Sequence, residues 1–448
     1  MYESLVGDKK GFLLESYDKN YDRYTFFGKE PEEIISSRGN ALVITKNDGT
    51  QEVRNGNPLE RLKEYYSEFD IVKDNEELSF SGGLVGNLGY DFVRYAEVLP
   101  DNNPDEIGIE TVQMMLMTKF IMVDHVAETL TGIILGEDTP EGRKKSLEEA
   151  EELIRQALAN KGRAPEKNFT HDGVIVNQSD SLEQYSQKVE KIKEYIREGH
   201  IFQTVLSQRW TIETKQSGFE LYKELRELNP SPYLYYFNYG DFEVIGSSPE
   251  MIVKQQGNRV YTCPIAGTRK RGADAEEDAL LRDELLQDEK ERAEHVMLVD
   301  LARNDMGRIS EFGTVKVTQF MEVQNYSHVM HIVSMVEGRK KGEFHPLDLV
   351  SSFLPAGTLS GAPKIRAMEI IDELESVRRG LYGGATGYID FSGDMDFCIT
   401  IRTMIKKGKR VYLQAGAGIV ADSIPENEYQ ECCNKVMALA KTLMHYIH

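Results

Sequence analysis

The sequence predicts a chain of the α/β or α+β class that contains a substantial antiparallel sheet. Within residues 181–199, apolar side chains recur at helical spacing, and a glycine stands where the helix should end. Further along, the stretches GYIDFSGDMDFCITIRTMI and RVYLQAGAGIVA are joined and divided by the turn sequences SGD and KKGKR, which is typical of antiparallel hairpins. The composition, 40% hydrophobic and 28% charged, is that of a globular protein.

The elements follow in order along the chain. Residues 1–160 combine predicted strands and short helices, and the apolar run at 111–125 predicts a buried strand pair. Residues 161–180 are polar and contain proline and glycine, which predicts a linker. Residues 181–448 begin with the helix described above, continue with strands and end with a helix. We therefore predict two regions, 1–160 and 181–448, with the first packed on the second and the linker between them.

Charge and composition exclude several classes of protein. The formal net charge of −21 repels nucleic-acid phosphate. No run of about 18 apolar residues exists to span a bilayer, and the first residues lack the apolar run of a signal peptide. The four cysteines show no CxxC spacing, so we expect reduced thiols. We expect a cytoplasmic protein that binds neither nucleic acid nor membrane.

Two glycine-rich motifs suggest anion binding, although neither is a known nucleotide fingerprint. The stretch Gly416, Ala417, Gly418 follows a predicted strand, but too few residues remain after it for a dinucleotide-binding unit. As a turn it could offer backbone N–H groups to an anion. The stretch AGTLSGAPK lacks the end of a phosphate-binding loop. Its Thr358 lies near the start of a predicted helix and could face an anion or belong to an ordinary turn.

Two predicted helices each carry a pair of carboxylates. Glu291 and Glu294 are three residues apart and precede an apolar stripe, while Glu428 and Glu431 repeat the spacing near the C-terminus. Solvated glutamates are the simpler interpretation in so acidic a chain. Because two such pairs occur, four carboxylates can also hold Mg²⁺, provided that the metal keeps several waters. Zinc is disfavoured because no His or Cys ligands accompany the pairs.

Other charged residues leave two interpretations open. Alternation in the apolar stretch CITIRTMI predicts one strand, with Ile399 and Ile401 on one face and Arg402 on the other. Arg402 then pairs either with a substrate carboxylate or with a structural Asp or Glu. The basic run at 269–271 in PIAGTRKRG is either a solvated turn or part of a local site for carboxylates. The simplest interpretation of His331 is an imidazole in the core or on the surface, because the sequence shows no recognisable order of Ser, His and Asp residues typical of a catalytic triad. No glutamine-amidotransferase nucleophile turn is found among the cysteines.

Several longer motifs resemble a known family. PIAGTRKRG, DEKERAEHVMLVDLARNDMGR, PAGTLSGAPK, GATGYIDFSGDMDF and QAGAGIVADSIPENEYQE occur in the order typical of the chorismate-utilising enzymes. Among these, the sequence is most similar to the component I (large) subunits of anthranilate synthase. The resemblance is dense over 180–448 and reaches the N-terminal region through FLLES, RYTFFG and GGLVGNLGYDFVRY. It implies an α+β fold with two packed antiparallel sheets, helices outside, and the active site in a cleft between the sheets.

The resemblance also implies a function. Such subunits are Mg²⁺-dependent lyases that convert chorismate and ammonia to anthranilate and pyruvate, the first step of tryptophan biosynthesis. A glutamine amidotransferase partner subunit supplies the ammonia, and tryptophan inhibits the enzyme allosterically. One alternative is aminodeoxychorismate synthase of the folate branch, whose loop carries a lysine where this chain has Ala266. Another is a non-catalytic tryptophan-binding regulatory subunit.

Site residues follow from the same resemblance. It implies catalytic roles for Glu250, His331 and Thr358, and it assigns the metal to Glu291, Glu294, Glu428 and Glu431. It implies substrate contacts for Gly267, Thr268, Tyr382, Arg402, Gly416, Ala417, Gly418 and Lys435. It implies a tryptophan pocket in the N-terminal region and the segment 229–233, formed by Leu14, Glu15, Ser16, Asn229, Pro230, Ser231, Pro232 and Tyr233. Gln203 matches the position where isochorismate-forming relatives carry a lysine that activates water, which speaks against water as the nucleophile.

Overall fold

The structure is a computed structural model that describes residues 1–16, 23–73, 78–159, 170–325 and 329–444. Its helices are α1 (Tyr2–Leu5), α2 (Pro58–Tyr66), α3 (Pro140–Leu158), α4 (Leu182–Arg197), α5 (Gly218–Leu228), α6 (Ala275–Gln287), α7 (Glu289–Ile309), α8 (Pro346–Phe353), α9 (Lys364–Leu374) and α10 (Pro425–Ala440). Two short 3₁₀ turns lie at Tyr90–Tyr95 and Gly357–Leu359.

The strands are β1 (Gly11–Glu15), β2 (Tyr24–Lys29), β3 (Glu33–Ser37), β4 (Ala41–Lys46), β5 (Gln51–Asn55), β6 (Gly83–Leu88), β7 (Val112–Met117), β8 (Lys119–Asp124), β9 (Thr129–Ile134), β10 (Val174–Gln178), β11 (Gln203–Glu213), β12 (Tyr233–Asn238), β13 (Glu243–Ser248), β14 (Met251–Gln256), β15 (Arg259–Thr262), β16 (Ile265–Lys270), β17 (Lys316–Asn325), β18 (Val329–Arg339), β19 (Gly361–Ala362), β20 (Ala385–Asp390), β21 (Met395–Ile399), β22 (Thr403–Lys407) and β23 (Arg410–Ile419).

These strands form two antiparallel sheets. Within the described residues, sheet I has 11 strands in the order β10-β11-β23-β22-β13-β12-β1-β2-β8-β9, and β19 pairs with β11. Sheet II has 12 strands in the order β16-β18-β15-β14-β21-β20-β6-β7-β3-β4-β5, and β17 pairs with β18. Antiparallel pairing joins even strands far apart in sequence, such as β1 with β12 and β6 with β20.

The alternation of side chains along each strand explains how the layers pack. Inward-facing residues of both sheets, among them Phe12 and Phe237 of sheet I and Val85 and Met115 of sheet II, form one buried cluster between the sheets. Outward-facing residues of sheet I pack against α1, α4, α5, α9 and α10. Those of sheet II pack against α2, α7 and α8. The predicted α+β fold, with two packed antiparallel sheets and helices outside, is confirmed.

The two predicted regions share both sheets. Strands β1, β2, β8 and β9 from residues 1–160 extend sheet I, and β3 to β7 extend sheet II. The predicted linker 161–180 contains a strand, β10, which pairs with β11, while its residues 161–169 lie outside the described ranges. The domain boundaries therefore stay a prediction, although the sheet hydrogen bonds run continuously from one region to the other.

The structure confirms two predictions about individual elements. The apolar run at 111–125 forms the buried strands β7 and β8, as predicted. The helix predicted after Ser181 is α4, which begins with a capping box between Ser181 and Gln184 and ends before Gly199, whose φ is +80°. Across the described part of the chain, no helix combines the length and apolar character needed to cross a membrane.

We predict that residues 181–448 do not fold alone. Without residues 1–160, β12 loses its partner β1 and β20 loses its partner β6, so apolar edges that are buried in the whole chain become exposed. Thermal unfolding followed by circular dichroism should show a cooperative transition for the full chain and none for the fragment. A fragment that melts cooperatively near the Tm of the full chain would contradict this prediction.

Candidate active site

A cavity of about 260 Å³ collects most of the residues that the sequence singles out. Its walls come from β11 and β23 of sheet I, from β16 and β18 of sheet II, and from α7 and α10. The predicted site residues that line it are Glu250, Thr268, Glu294, His331, Thr358, Tyr382, Arg402, Gly416, Gly418, Glu431 and Lys435. Residues separated by up to about two hundred positions in the chain are thus brought to one place.

Two chain crossings between the sheets carry a carboxyl group and a guanidinium cation. Glu250 lies between β13 of sheet I and β14 of sheet II. Arg402 lies between β21 of sheet II and β22 of sheet I. The backbone N–H of Ile399 donates to the Glu250 carbonyl at 2.9 Å, and that of Ser247 donates to the Arg402 carbonyl at 3.2 Å. The crossings therefore run side by side and place both side chains at the cavity.

Glu250 is buried, with 7% of its surface exposed. Burial raises the pKa of Glu250 to about 8, and the hydrogen bond from Thr358 together with the charges of Arg402 and Lys435 opposes this rise. The Thr358 hydroxyl donates to Glu250 Oε1 at 3.1 Å. A carboxyl group with this pKa is protonated at neutral pH, so it can act as a general acid.

His331 is the complementary neutral group. Burial lowers its pKa to about 4, so the ring is uncharged at neutral pH. Its Nδ1 lies 2.8 Å from the Gly267 carbonyl and 3.0 Å from Thr268 Oγ1. Because a carbonyl only accepts, Nδ1 carries the proton and Nε2 carries the lone pair. Gly267 adopts φ +65° at an irregularity of the β16–β18 pairing, which brings its carbonyl to the ring.

The stretch around Arg402 is not the continuous strand that its alternation predicts. Strand β21 ends at Ile399, β22 begins at Thr403, and Arg402 between them has φ +48°. The prediction of one strand is wrong because the chain leaves sheet II for sheet I at this point. A non-glycine residue in the left-handed region is strained by about 1–2 kcal/mol, and this conformation directs the Arg402 side chain into the cavity wall.

The Gly416–Gly418 stretch is a strand, so its interpretation as a turn is wrong. Its three residues pair with Ser207, Leu206 and Val205 of β11, and the ladder uses their backbone groups. Alternation directs Gly416 and Gly418 to the cavity, whereas the side chain of Ala417 is fully buried in the cluster of sheet I. A Cβ at Gly416 would lie 3.0 Å from the Tyr382 hydroxyl, so glycine leaves room there.

Two of the four predicted metal carboxylates line the cavity, whereas Glu291 and Glu428 are not among its lining residues. Glu294 and Glu431 line it, and a Cβ on Gly267 would come within 3.2 Å of Glu291 Oε2. Burial raises the pKa values of Glu291, Glu294 and Glu428, and the charge of Glu431 adds to each rise. Four oxygen donors that repel one another suit a hard divalent cation. Among the described residues, however, no three His, Cys, Asp or Glu side chains stand at metal-binding spacing, so the metal stays a prediction.

Three more polar side chains line the cavity. Lys435 donates to the Gly416 carbonyl at 2.9 Å and lies 2.6 Å from Glu431 Oε1. Gln203 is 4% exposed, and its Oε1 has no hydrogen-bond partner among the described residues. Gln414 also lines the cavity and was missed in the sequence. The signal was present, because Gln414 shares the strand face of Gly416 and Gly418 by alternation.

A family model described as "chorismate binding enzyme" matches residues 12–441. The chain belongs to this family. It is 46% identical to "Anthranilate synthase component 1" of Acetivibrio thermocellus over 96% of this chain and 90% of the relative. It is 42% identical to the protein of the same name from Aquifex aeolicus, over 96% of this chain and 88% of the relative.

A solved structure of anthranilate synthase component I from Streptococcus pneumoniae TIGR4 is similar in fold. It superposes with a TM-score of 0.80 at 39% identity and covers 94% of this chain and 92% of that chain. The resemblance to the chorismate-utilising enzymes, and among them to the component I subunits of anthranilate synthase, is thereby confirmed.

In this chorismate-binding enzyme, the basic run beside the cavity is held by nearby carboxylates. Arg269 donates to Glu284 and to Asp288, each at 2.9 Å, and Arg271 donates to Asp278. The run therefore flanks the loop that carries Gly267 and Thr268, and it lies against acidic helices.

The predicted tryptophan residues lie on both faces of β1. Leu14, Glu15, Pro232 and Tyr233 line a cleft of about 30 Å³ between the sheets, roughly the volume of one water molecule. The carboxylate of Glu15 turns to the opposite face, where it accepts from Tyr222 and pairs with Arg226 at 3.2 Å.

Three of the remaining residues of that set, Asn229, Pro230 and Ser231, form the segment that follows α5. Ser231 Oγ donates to the Ser247 carbonyl at 3.4 Å, and Ser247 Oγ donates to the Asn229 carbonyl. Ser16 and Pro230 are half-buried. Tryptophan binding between these segments therefore requires the walls of the cleft to separate.

We predict that Arg402→Gly is more stable than Arg402→Ala by about 1 kcal/mol. Both substitutions remove the guanidinium, but only glycine adopts φ +48° without strain. Urea unfolding of both variants measures the difference. Equal stability, or a more stable alanine variant, would mean that the backbone at this crossing relaxes freely.

Proposed function

We propose that this chain is a lyase that converts chorismate and ammonia to anthranilate, pyruvate and water. The observation that carries the proposal is the pairing, in one cavity, of a buried carboxyl group with a pKa of about 8 and a neutral imidazole with a pKa of about 4. The relatives named anthranilate synthase component 1 support the same reaction. We also propose that this reaction is the first step of tryptophan biosynthesis and that the chain acts in the cytoplasm.

The cavity offers groups for both ends of the substrate. Chorismate has two carboxylates, and the Arg402 guanidinium suits one of them by bidentate hydrogen bonding. Glu291, Glu294, Glu428 and Glu431 would hold Mg²⁺. When bound, Mg²⁺ would offset negative charge on the other carboxylate.

The protein groups then account for the proton transfers. Ammonia forms a bond to C2 of chorismate while the C4–O bond breaks, and protonated Glu250 gives its proton to the departing hydroxyl, which leaves as water. The Glu250 carboxylate then takes the extra proton from the added nitrogen. The lone pair of His331 Nε2 is suited to take the C2 proton in the second stage, while the C3–O bond breaks and the ring becomes aromatic. The departing enolpyruvate receives that proton at its methylene carbon and becomes pyruvate.

Two residues favour ammonia over other nucleophiles. Ala266 lines the cavity at the position where the folate-branch relatives carry a lysine, so this loop position offers no amine to attack the ring. Gln203 offers an amide, which cannot deprotonate water. The alternative product of the folate branch is therefore disfavoured. The cavity, with its full set of proposed catalytic groups, also disfavours a purely regulatory subunit.

We also propose that a glutamine amidotransferase subunit supplies the ammonia. The four cysteines support this proposal, because Cys263, Cys398 and Cys432 are buried and Cys433 is half-buried in this chain. Burial raises the pKa values of the Cys398, Cys432 and Cys433 thiols, which disfavours a nucleophilic thiolate.

We predict that the purified chain makes anthranilate from chorismate, ammonium and Mg²⁺, and none from glutamine alone. Fluorescence of anthranilate measures the rate. Glu294→Gln and Glu428→Gln should lower the rate by about 10²–10⁴-fold if metal binding fails, while Glu289→Gln, on the exposed start of α7, should not. Full activity in EDTA would refute the metal assignment, and anthranilate from glutamine alone would refute the need for a partner.

We predict that kcat falls above about pH 8, because the acid form of Glu250 is then lost. Glu250→Gln should lower kcat by about 10²–10⁴-fold and remove this dependence, measured at saturating free ammonia. Glu224→Gln, at a carboxylate that is also 7% exposed but outside the cavity, is the matched control. An unchanged kcat in Glu250→Gln would exclude Glu250 as the acid.

We predict that tryptophan inhibits the enzyme from the cleft between β1 and the segment 229–233. Ser16→Arg should abolish inhibition and leave the uninhibited kcat close to that of the wild type, because Ser16 lies outside the cavity. Ser67→Arg, at an exposed serine after α2, should keep normal inhibition. Inhibition curves at several tryptophan concentrations measure both effects, and loss of kcat together with inhibition would indicate a structural role.

A further inference from the structure

A buried ion pair lies directly behind the cavity, outside the residues assigned above. Arg379 is 2% exposed and Glu375, which follows α9, is 5% exposed. Arg379 Nε donates to Glu375 Oε2 at 2.9 Å, and Nη2 donates to Oε1 at 2.6 Å. This two-bond geometry fixes the plane of the guanidinium.

The other donors of Arg379 hold separate parts of the cavity wall. Nη1 donates to the Leu359 carbonyl at 2.5 Å, and Nη2 also donates to the Val205 carbonyl at 2.8 Å. The guanidinium carbon lies 5.6 Å from the centre of the Tyr382 ring. Val205, Leu359 and Tyr382 all line the cavity, so one side chain holds wall residues from three elements.

Glu375 extends the contacts to a fourth wall residue. It accepts from the backbone N–H of Ser207 at 2.8 Å and from its hydroxyl at 2.7 Å. The same Ser207 oxygen accepts from Gln414 Nε2 at 2.8 Å. Gln414 lines the cavity on the strand that carries the two glycines.

The contacts reach the proposed acid through Leu359. This residue follows Thr358, whose hydroxyl donates to Glu250 at 3.1 Å. That hydrogen bond lowers the pKa of Glu250 against the effect of burial. A displacement of the 3₁₀ turn would therefore change both the position and the pKa of Glu250.

We propose that Arg379 is a positioning residue, which holds Thr358 against Glu250 through the Leu359 carbonyl and fixes the opposite wall through Val205. The inference rests on the proposed function of the cavity. The planar guanidinium suits this role, because it donates in several fixed directions at once. A lysine ammonium is a single point charge and cannot reach a carboxylate and two carbonyls on different sides.

Arg379→Lys tests the proposal against Arg94→Lys. Arg94 is a matched control because it donates to Asp372 of α9 at 3.0 Å, so it anchors the same helix without contacting the cavity wall. Both variants keep the charge. We would measure Tm, then kcat and KM for chorismate at saturating free ammonia and Mg²⁺, across pH.

For Arg379→Lys we expect kcat to fall by about 10–100-fold, as for a small misplacement of reacting groups. We also expect the fall of kcat at high pH, here called the high-pH limb, to begin at a higher pH than in the wild type. The reason is that loss of the Thr358 hydrogen bond raises the pKa of Glu250. For Arg94→Lys we expect wild-type kcat and an unmoved limb. A fall in kcat with no movement of the limb, or equal effects in both variants, would overturn the proposal.

Glu375→Asp is a second variant for the case in which Arg379→Lys does not fold. It keeps the carboxylate but draws it back by one methylene, so Arg379 must shift, and the same movement of the pH limb is expected. Failure of both variants to fold while Arg94→Lys folds would also overturn the proposal, because the pair would then serve folding. A wild-type chain without anthranilate production would refute the proposed function, which keeps the two failures distinct.

Discussion

The pair of hydrogen bonds between the two sheet crossings is the contact on which the site depends. The Glu250 carbonyl accepts from Ile399 N–H, and the Arg402 carbonyl accepts from Ser247 N–H. Packed sheets lie about 10 Å apart, so a chain that passes between them must leave its ladder at both ends of the passage. Because the end of the strand beside each passage donates to the residue in the other passage, the Glu250 and Arg402 carbonyls are satisfied. Their side chains are then left to face the cavity.

Burial sets the electrostatic character of the cavity. It moves the pKa of Glu250 upward and that of His331 downward, so both groups are uncharged near neutral pH. The acid holds its proton and the imidazole holds its lone pair, which is the state that a reaction needing both must start from. Arg402 supplies positive charge, the carboxylates of α7 and α10 supply negative charge, and Lys435 of α10 is paired with Glu431 of the same helix. The cavity is thus polar enough to orient a dianion and still closed enough to shift these pKa values.

Much of the site could be predicted from the sequence, and the exceptions have clear physical causes. The spacing of apolar residues predicted α4, β7 and β8, because the buried positions of a helix or strand are occupied by apolar residues at regular intervals. The same alternation wrongly predicted one continuous strand through Arg402. The chain passes from one sheet to the other there, and its apolar pattern continues across the break between the two strands. The glycines at 416 and 418 suggested a turn, yet in β23 glycine is needed at 416 because Val205 and Leu206 of β11, together with Tyr382, leave no room for a Cβ.

The sequence by itself determined the layers, the family resemblance and the identity of the chemically able side chains, because burial patterns and motifs are local properties of the chain. Only the tertiary structure decided which of these side chains meet. In the folded chain, the Ala417 side chain lies in the core, and the Glu15 carboxylate contacts Tyr222 and Arg226. Arg379 lies behind the cavity wall. Those outcomes depend on the pairing of strands that are far apart in sequence. Such pairing, and the burial that shifts the pKa values of Glu250 and His331, exists only once both sheets have formed.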